Sequence, residues 1–278
     1  MNEQMTDLEP LNSRLLVVGL GRTGTAAVQK LTGKIHGVEC LDVTELTEKI
    51  RNDIRESCGL FLIGAEEAAE TASLARELFD IMGTQSDRKI MVALCLDDAP
   101  RADDLPQLLP WPAKVTRLSV GNVSLIPLLE HDTEFMAKQG MDVLLLRLAV
   151  QACTDLITHT GFICVDFADV RYIAGRGGEG VLGIGYGTGP ENGSRDAARN
   201  ALCAIDRQIW YGRYCHLLST IYASSNMTLD DFDTINRILH EYVVSDDVNI
   251  IIGVNIDDML GQNFRVSVIA VSDAEMKE

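Results

Sequence analysis

The chain has 278 residues, of which 46% are hydrophobic and 23% are charged. This composition supplies enough apolar material for one large or two ordinary domains and excludes disorder over most of the length. The 41 acidic residues outnumber the 24 Lys and Arg residues, which gives a formal net charge of −17. Because a surface of that sign repels phosphate backbones, we expect no nucleic acid as a direct partner.

The termini and the longest apolar segment predict where the protein works. Residues 143–165 form the most apolar stretch, but Arg147 and Asp155 interrupt it before the ~20 apolar residues of a membrane span are reached. The opening MNEQMTDLEP has no basic region followed by an apolar one. We therefore expect a cytoplasmic protein with no direct membrane insertion. Seven scattered cysteines, none in CxxC spacing, favour reduced structural thiols, and no metal site is predicted.

The N-terminal part alternates short apolar runs with amphipathic segments, a pattern typical of a parallel sheet covered by helices on both faces. The predicted strands are 14–18, 37–43, 59–64, 89–96 and 115–120. The predicted helices are 23–31, 44–55 and 66–82. Residues 97–112 are rich in Pro and Asp and predict a loop.

After residue 131 the pattern changes. One long helix is predicted from Asp132 to about Thr160, with Asp132 or Thr133 as its cap and Gly161 at its end. Its middle is hydrophobic almost all round, which predicts burial on most sides. Beyond it we predict strands at 180–185, 216–223, 248–255 and 264–271 and helices at 194–207 and 229–242. The loop DDMLGQN between the last two strands is short enough for an antiparallel connection.

These elements predict five parts of the chain. They are a tail (1–12), an α/β domain (13–131), a central helix (132–161), an α+β domain (162–273) and a second tail (274–278). A dense run of glycines from 175 to 189 is not followed by GK[ST], so a P-loop is not supported, and close packing explains the glycines better. The five histidines show no HExxH spacing and no GxSxG elbow is present, so neither zinc nor triad hydrolysis is indicated.

The motif GLGRTG, which starts at Gly19, follows the first strand and opens the first helix. Glycines there let backbone N–H groups approach a phosphate at a helix N-terminus. The candidate cofactor-binding residues are Gly19, Gly21, Gly24 and Thr25. A dinucleotide-binding unit would add Asp42, about 20 residues further on, to hold ribose hydroxyls. Alternatively, the glycines only allow the helix and strand to pack closely.

A pair of carboxylates follows the long helix in the segment CVDFADVR. Asp166 and Asp169 are three residues apart, and two neighbouring carboxylates can polarise a water or hold a cation. Alternatively, Asp166 caps a short helix that starts at Phe167.

The segment VDFADVR resembles the loop with which FtsZ inserts acidic residues into the nucleotide site of the next subunit, and the similarity continues through most of 162–272. The glycine loop at Gly19 is similar more loosely. A resemblance to the FtsZ/tubulin superfamily implies a nucleotide-binding-type parallel domain, a long central helix and an α+β domain with a mixed four-stranded sheet. It also implies that Asp166 and Asp169 are the catalytic pair, acting in a neighbouring subunit's site if GTPase activity is retained.

The chain departs from this family in its phosphate loop. FtsZ-like GTPases carry GGGTGTG after the third strand, whereas this chain places Glu66, Glu67 and Glu70 there. These carboxylates would repel phosphate oxygens, and one such contact at 4 Å costs about 4 kcal/mol at an effective dielectric near 20. We therefore expect the nucleotide pocket to be degenerate.

Other family contacts are also missing. Ala137 and Met141 stand where the family places a Phe and an Asn on the guanine, and Cys164 stands at the Asn of the acidic loop. The favoured interpretation is a cytoskeletal or scaffolding protein without a cofactor that assembles with itself or with an FtsZ-like partner subunit. The alternatives are an active GTPase that binds GTP or GDP and a Rossmann-type NAD enzyme. Enzymatic activity is left open, although the missing loop weighs against it.

Overall fold

The computed structural model describes residues 14–64, 69–83, 89–96, 115–120, 130–159, 161–207, 216–243 and 248–271. The strands are β1 (Leu15–Gly19), β2 (Val38–Asp42), β3 (Gly59–Ile63), β4 (Ile90–Leu96), β5 (Thr116–Val120), β6 (Gly178–Gly187), β7 (His216–Ala223), β8 (Asn249–Ile256) and β9 (Phe264–Val271). The helices are α1 (Gly21–Leu31), α2 (Glu48–Glu56), α3 (Ala69–Gly83), α4 (Glu130–Gln139), α5 (Met141–Thr158), α6 (Phe167–Ala174), α7 (Gly193–Arg207) and α8 (Leu229–Tyr242). The predicted loop at 97–112 lies outside the described residues.

The nine described strands form one sheet with the order β2-β1-β3-β4-β5-β6-β9-β7-β8. In the parallel part, successive residues of each strand face opposite cores. Leu15 and Val17 pack in the core under α1 and α5, whereas Leu16 and Val18 pack in the core under α2 and α3. A strand buried on both faces must be apolar throughout, which explains the continuous apolar runs of the sequence. The predicted parallel sheet with helices on both faces is confirmed.

The C-terminal strands form the expected mixed four-stranded part, β6-β9-β7-β8, which pairs with the parallel part through β5 and β6. The last two strands run antiparallel, as predicted, but they do not pair with each other. β8 pairs in parallel with β7, while β9 lies on the other side of β7 and runs antiparallel to both β7 and β6. A parallel β7-α8-β8 crossover fills one side of β7, so β9 takes the other side. The connecting loop holds a short 3-10 helix, Asp258–Leu260.

The single long helix predicted from 132 to 160 is wrong, because the structure divides it at Gly140. This residue has φ +98° and ψ 159°, a non-helical conformation that is essentially restricted to glycine, so the helix cannot continue through it. The N–H of Gly140 donates to Met136 at the end of α4, and its carbonyl accepts from Leu144 in the first turn of α5. The predicted burial is confirmed, since most of α5 is buried between the two halves of the sheet.

The glycines of β6 and the lengths of the helices each bear on an expectation from the sequence. The glycine run in β6 allows α7 to pack closely, since a Cβ at Gly185 would lie 2.0 Å from the carbonyl oxygen of Ala197. None of the described helices is long and apolar enough to cross a membrane.

Candidate functional site

The glycine loop joins β1 to α1, where the sequence predicts cofactor binding. A Cβ at Gly19 would lie 2.3 Å from the carbonyl oxygen of Gly24, and one at Gly24 would lie 2.3 Å from that of Ile63 in β3. Real Cβ atoms are not found that close to a carbonyl, so both positions require glycine for α1 to pack on β1 and β3. Close packing thus accounts for these two glycines, and their predicted role in cofactor binding stays a prediction.

Several backbone donors of this loop are already used within the protein. The N–H of Leu20 donates to Ile63 at 2.9 Å, and the N–H of Gly24 donates to Leu20 at 3.2 Å. Gly21 starts α1 with φ +64°, and no side chain caps this helix. The N–H groups of Gly21 and Arg22, which precede the first helical hydrogen bond, are therefore the donors best placed to meet a ligand.

Thr25 and Asp42, predicted for different roles, contact each other. The hydroxyl of Thr25 donates to Asp42 Oδ1 at 2.7 Å. Asp42 ends β2 and is the register partner of Gly19 at the end of β1. Its carboxylate therefore lies at the entrance of α1, where it is bonded to a helix side chain rather than held ready for a ribose.

A groove of about 840 Å³ opens beside the start of α1. Its lining residues are Gly21, Arg22, Thr25, Ala26, Gln29, Val43, Thr44, Thr71, Ser73, Leu74 and Glu77. The lining exposes mainly apolar surface and is nearly neutral, because it holds one arginine and one glutamate, and Glu77 is paired with Arg51 of α2. Arg22 and Gln29 were not predicted as site residues, although they share one helical face with Thr25 at intervals of three and four residues.

The three glutamates expected to repel phosphate are not placed by the described residues. Glu66 and Glu67 lie outside them, and only the backbone of Glu70 is described, in α3. Their repulsion stays a prediction. Ala137 is exposed on α4 and Met141 packs against the core, and neither lines the groove.

The acidic pair lies at the other end of the sheet, at the start of α6. Asp166 is the N-cap of this helix, and its side chain accepts a hydrogen bond from the N–H of Asp169 at 2.8 Å. The predicted capping role is thus confirmed. Both carboxylates are exposed, and Cys164 just before them is exposed as well. The structure does not bring this pair together with the glycine loop of the same chain, because β1 and β8 are separated by six strands.

Buried charged side chains form a cluster between α4, α5 and the C-terminal strands, and the sequence did not predict this cluster. The predicted cap at Asp132 is wrong, because α4 already starts at Glu130 and Asp132 lies fully buried in its first turn. Its carboxylate pairs with Arg147 of α5, accepts from the hydroxyl of Tyr186 at 2.7 Å and lies 3.5 Å from Arg265 of β9. The sequence signal was present, because Arg147 and Arg265 are single charges inside apolar runs.

The cluster continues through aromatic residues to the end of α5. The guanidinium of Arg265 lies 3.8 Å from the ring centre of Tyr222, whose hydroxyl donates to Asp155 at 3.0 Å. Burial raises the pKa values of Asp155 and of Tyr222. His159 lies 3.6 Å from the same carboxylate. The hydrogen bonds and ion pairs of these groups join α4 and α5 to β6, β7 and β9. The described residues also hold no group of three or more His, Cys, Asp or Glu side chains that could bind a metal.

Comparisons with known proteins agree with this architecture. The model of the FtsZ family, C-terminal domain, matches residues 178–272. Cell division protein FtsZ of Buchnera aphidicola subsp. Schizaphis graminum (strain Sg) is 29% identical over 154 residues, which are 55% of this chain and 40% of that protein. The match thus spans less than half the length of this curated relative.

Two solved structures extend the likeness to the whole fold. The empty FtsZ dimer of M. jannaschii superposes with a TM-score of 0.67 at 19% identity, over 94% of this chain and 89% of that chain. The GDP-form TubZ protofilaments of Bacillus thuringiensis serovar israelensis give a TM-score of 0.56 at 10% identity, over 94% and 85%. Residues 178–272 thus match the C-terminal domain of the FtsZ family, and the chain shares the fold of FtsZ and TubZ.

Proposed function

We propose that this protein is an FtsZ-like cytoskeletal or scaffolding component whose own nucleotide cleft is degenerate. It acts by assembling head-to-tail, through its acidic loop, with itself or with a related subunit. The proposal rests mainly on the state of the glycine loop. The carboxylate of Asp42 is bonded to Thr25 at the entrance of α1, beside the N–H groups that a phosphate would use.

This arrangement disfavours a triphosphate. A phosphate at the start of α1 would lie close to the carboxylate of Asp42, a like-charge contact. Glu66, Glu67 and Glu70, which follow β3 in the sequence, would add to this repulsion. The Rossmann-type NAD alternative gains no support, because Asp42 is bonded to Thr25 and the comparisons point to a different fold family.

The sheet geometry supports assembly through opposite ends of the molecule. β1 and β8 have the same direction in the sheet, but seven strand-to-strand steps separate them. At about 20 to 25° of twist for each step, the carboxyl ends of β1 and β8 point about 140 to 175° apart. The glycine loop follows β1, and the segment that leads into the acidic loop pairs with β8, so the two loops lie at well-separated places on the sheet, as a heterologous head-to-tail contact requires. The related TubZ structure contains protofilaments, and the FtsZ structure contains a dimer.

Nucleotide binding is tested by thermal unfolding with GTP, GDP or no nucleotide, each with and without magnesium. A ligand at 100 times its dissociation constant adds about 2.7 kcal/mol to stability, and we expect a much smaller effect here. Native mass spectrometry of the purified protein checks for nucleotide retained from the cell. Bound guanine nucleotide, or a shift of that full size, would disprove the degenerate cleft.

The acidic loop is tested with charge-neutral variants that keep the helix cap. Asn caps helices about as well as Asp, so Asp166→Asn with Asp169→Asn removes two charges and leaves α6 intact. Asp142→Asn, at an exposed first-turn position of α5, is the matched control. Loss of self-assembly or partner binding in the loop variant alone supports the proposal. Unchanged assembly would rule out a role for the loop.

A second candidate, an active GTPase, is favoured by one observation. No side chain caps the N-terminus of α1, which opens onto the 840 Å³ groove with Arg22 beside it. This is a geometry that binds anions. If this candidate is correct, Arg22→Ala abolishes a nucleotide-dependent rise in Tm, and the Asp166/Asp169 variant loses GTP hydrolysis but keeps that rise.

A further inference from the structure

A depression of about 450 Å³ lies between the start of α7 and the start of α8. It shares no lining residue with the groove beside α1. Three segments of the chain, within 190–195, 224–234 and 261–264, form its walls. Its volume is that of a small-molecule site, so the polar groups that converge on it decide which ligand it fits.

The wall formed by α7 offers open backbone donors. The N–H of Asp196 donates to the carbonyl of Asn192 at 2.8 Å, which is where the regular bonding of this helix begins. The N–H groups of Ser194 and Arg195 come just before it and have no acceptor in the part of the chain that the structure describes. The side chain of Asn192 could cap them, but it accepts from the guanidinium of Arg195 at 2.9 Å. The start of this 15-residue helix is therefore open to an anionic group.

The side chain of Ser194 is a second and independent sign of an occupant. It is only 5% exposed, and it lines the depression. Its hydroxyl has no hydrogen-bond partner among the described residues. Because an unpaired polar group in a buried place is unfavourable, this hydroxyl needs a partner that sits in the depression itself. The hydroxyl, the two N–H groups and the guanidinium of Arg195 together suit a carboxylate.

The walls of the depression are held in place by tight contacts. A Cβ at Gly193 would lie 2.8 Å from the ring of Phe264, so the start of α7 rests directly on this ring. The hydroxyl of Ser224 donates to the carbonyl of Gly261 and accepts from the N–H of Asn226, which joins the other two segments. A site whose walls are fixed in advance loses little freedom when a ligand binds.

The wall formed by α8 has the opposite character. Thr228 and Asp231 form a capping box, with the N–H of Thr228 on Asp231 at 3.0 Å and the N–H of Asp231 on Thr228 at 3.2 Å. This helix start is therefore closed to a ligand. Asp230, Asp231 and Glu191 give the lining three carboxylates against the single cation of Arg195. A ligand that is only an anion is disfavoured there, and one that also carries positive charge is favoured.

We propose that this depression binds a free basic amino acid, with its carboxylate at the start of α7, on Ser194 and Arg195, and its cationic groups near Asp230 and Glu191. Such a ligand brings one negative and two positive charges, which complement the two sides of the lining. Its methylene chain can pack on Phe264, which lies between them. The site is separate from the acidic loop and from the groove beside α1, so the proposal goes beyond the proposed function and does not depend on it.

The test is isothermal titration calorimetry of the full chain at low salt with L-lysine and two close analogues. L-Lysinamide keeps both cations but lacks the carboxylate, and L-norleucine keeps the carboxylate and the chain but lacks the side-chain cation. We expect lysine to bind and each analogue to bind about tenfold or more weakly, because each leaves one side of the lining uncompensated.

Two variants place the ligand in the depression. Ser194→Ala removes only the hydroxyl and should weaken lysine binding about tenfold, and Asp230→Asn should weaken lysine but leave norleucine unchanged. Arg199→Gln and Asp233→Asn are the matched controls, because both residues are exposed on the same two helices and neither lines the depression. Both controls should bind lysine like the unmodified chain, and all four variants should keep its Tm within about 2 °C.

Three results would overturn the proposal. The first is no binding heat with lysine at about 10 mM, which excludes even a weak site. The second is equal affinity for lysine and lysinamide, which means that no carboxylate is held at the start of α7. The third is that the controls weaken binding as much as Ser194→Ala and Asp230→Asn do, which places the ligand elsewhere. None of these measurements involves nucleotide or assembly, so such a failure leaves the proposed function untouched.

Discussion

The buried charge cluster allows a stability prediction with a size fixed by the structure. Asp132 is fully buried between two arginines, Arg147 and Arg265. Asp132→Asn keeps an oxygen that can accept the hydrogen bond of Tyr186 but removes the carboxylate charge that pairs with both cations. Removing one partner of a buried pair costs about 3 to 5 kcal/mol, because the remaining charge is left uncompensated in a poorly solvated place. At about 2 to 4 °C for each kcal/mol in a domain of this size, Tm should fall by roughly 6 to 20 °C.

The assay is thermal unfolding followed by circular dichroism, with Asp142→Asn as the exposed control, which should shift stability by less than about 0.5 kcal/mol. The double variant Asp132→Asn, Arg265→Met tests the pairing itself. Because it removes a cation together with the carboxylate, its loss should be clearly smaller than the sum of the two single losses. Additive losses, or a Tm of Asp132→Asn within about 2 °C of the unmodified protein, would show that the charges are solvated and that the reasoning fails.

Three further predictions test local features. Gly24→Ala should destabilise the protein by about 1 to 3 kcal/mol in urea unfolding, since the new Cβ would lie 2.3 Å from the carbonyl of Ile63, whereas Gly83→Ala meets nothing within 4 Å and should be neutral or stabilising. Asp166→Ala should cost about 1 kcal/mol through the lost cap of α6, and Asp166→Asn should cost almost nothing; equal losses would contradict the capping geometry. Burial raises the pKa of Asp155, so the folded state binds the carboxyl proton of Asp155 more tightly than the unfolded state does. The stability that the protonated carboxyl contributes is therefore lost as pH rises from about 3.8 through the raised pKa. Asp155→Asn should remove that slope from unfolding curves measured over this range, and an unchanged slope would assign it to other groups.

The sequence predicts the strands well because each is buried in a way that leaves a pattern. Leu15 to Val18 must be apolar at every position to lie between two helical layers, and no helix or surface loop needs such a run at that length. The order of the strands in the sheet leaves a weaker trace in the sequence. The position of β9 beside β7 follows from which strand edges remain open after the β7-α8-β8 crossover, and no residue within FRVSVIAV records that competition.

The features of the candidate site also differ in how much of them the sequence predicts. The cap at Asp166 is local, so three residues of sequence were enough to predict it. The division of the helix at Gly140 could also have been found, since glycine between KQ and MD breaks an otherwise good helical pattern. The contact of Thr25 with Asp42 and the pairing of Asp132 with Arg265 join residues 17 and 133 positions apart, and only the fold brings them together.

The one continuous sheet constrains how the two ends of the molecule can communicate. β5 pairs with β6, and the core around α5 includes residues of both β1 and β9, such as Leu15 and Ile269. The paired charges of Asp132 and Arg265 hold α4 to β9. A rotation of one half against the other would have to break strand hydrogen bonds and separate buried charges at once, and each of these costs several kcal/mol. A ligand in the groove beside α1 could drive such a change only by binding the rotated form that much more tightly.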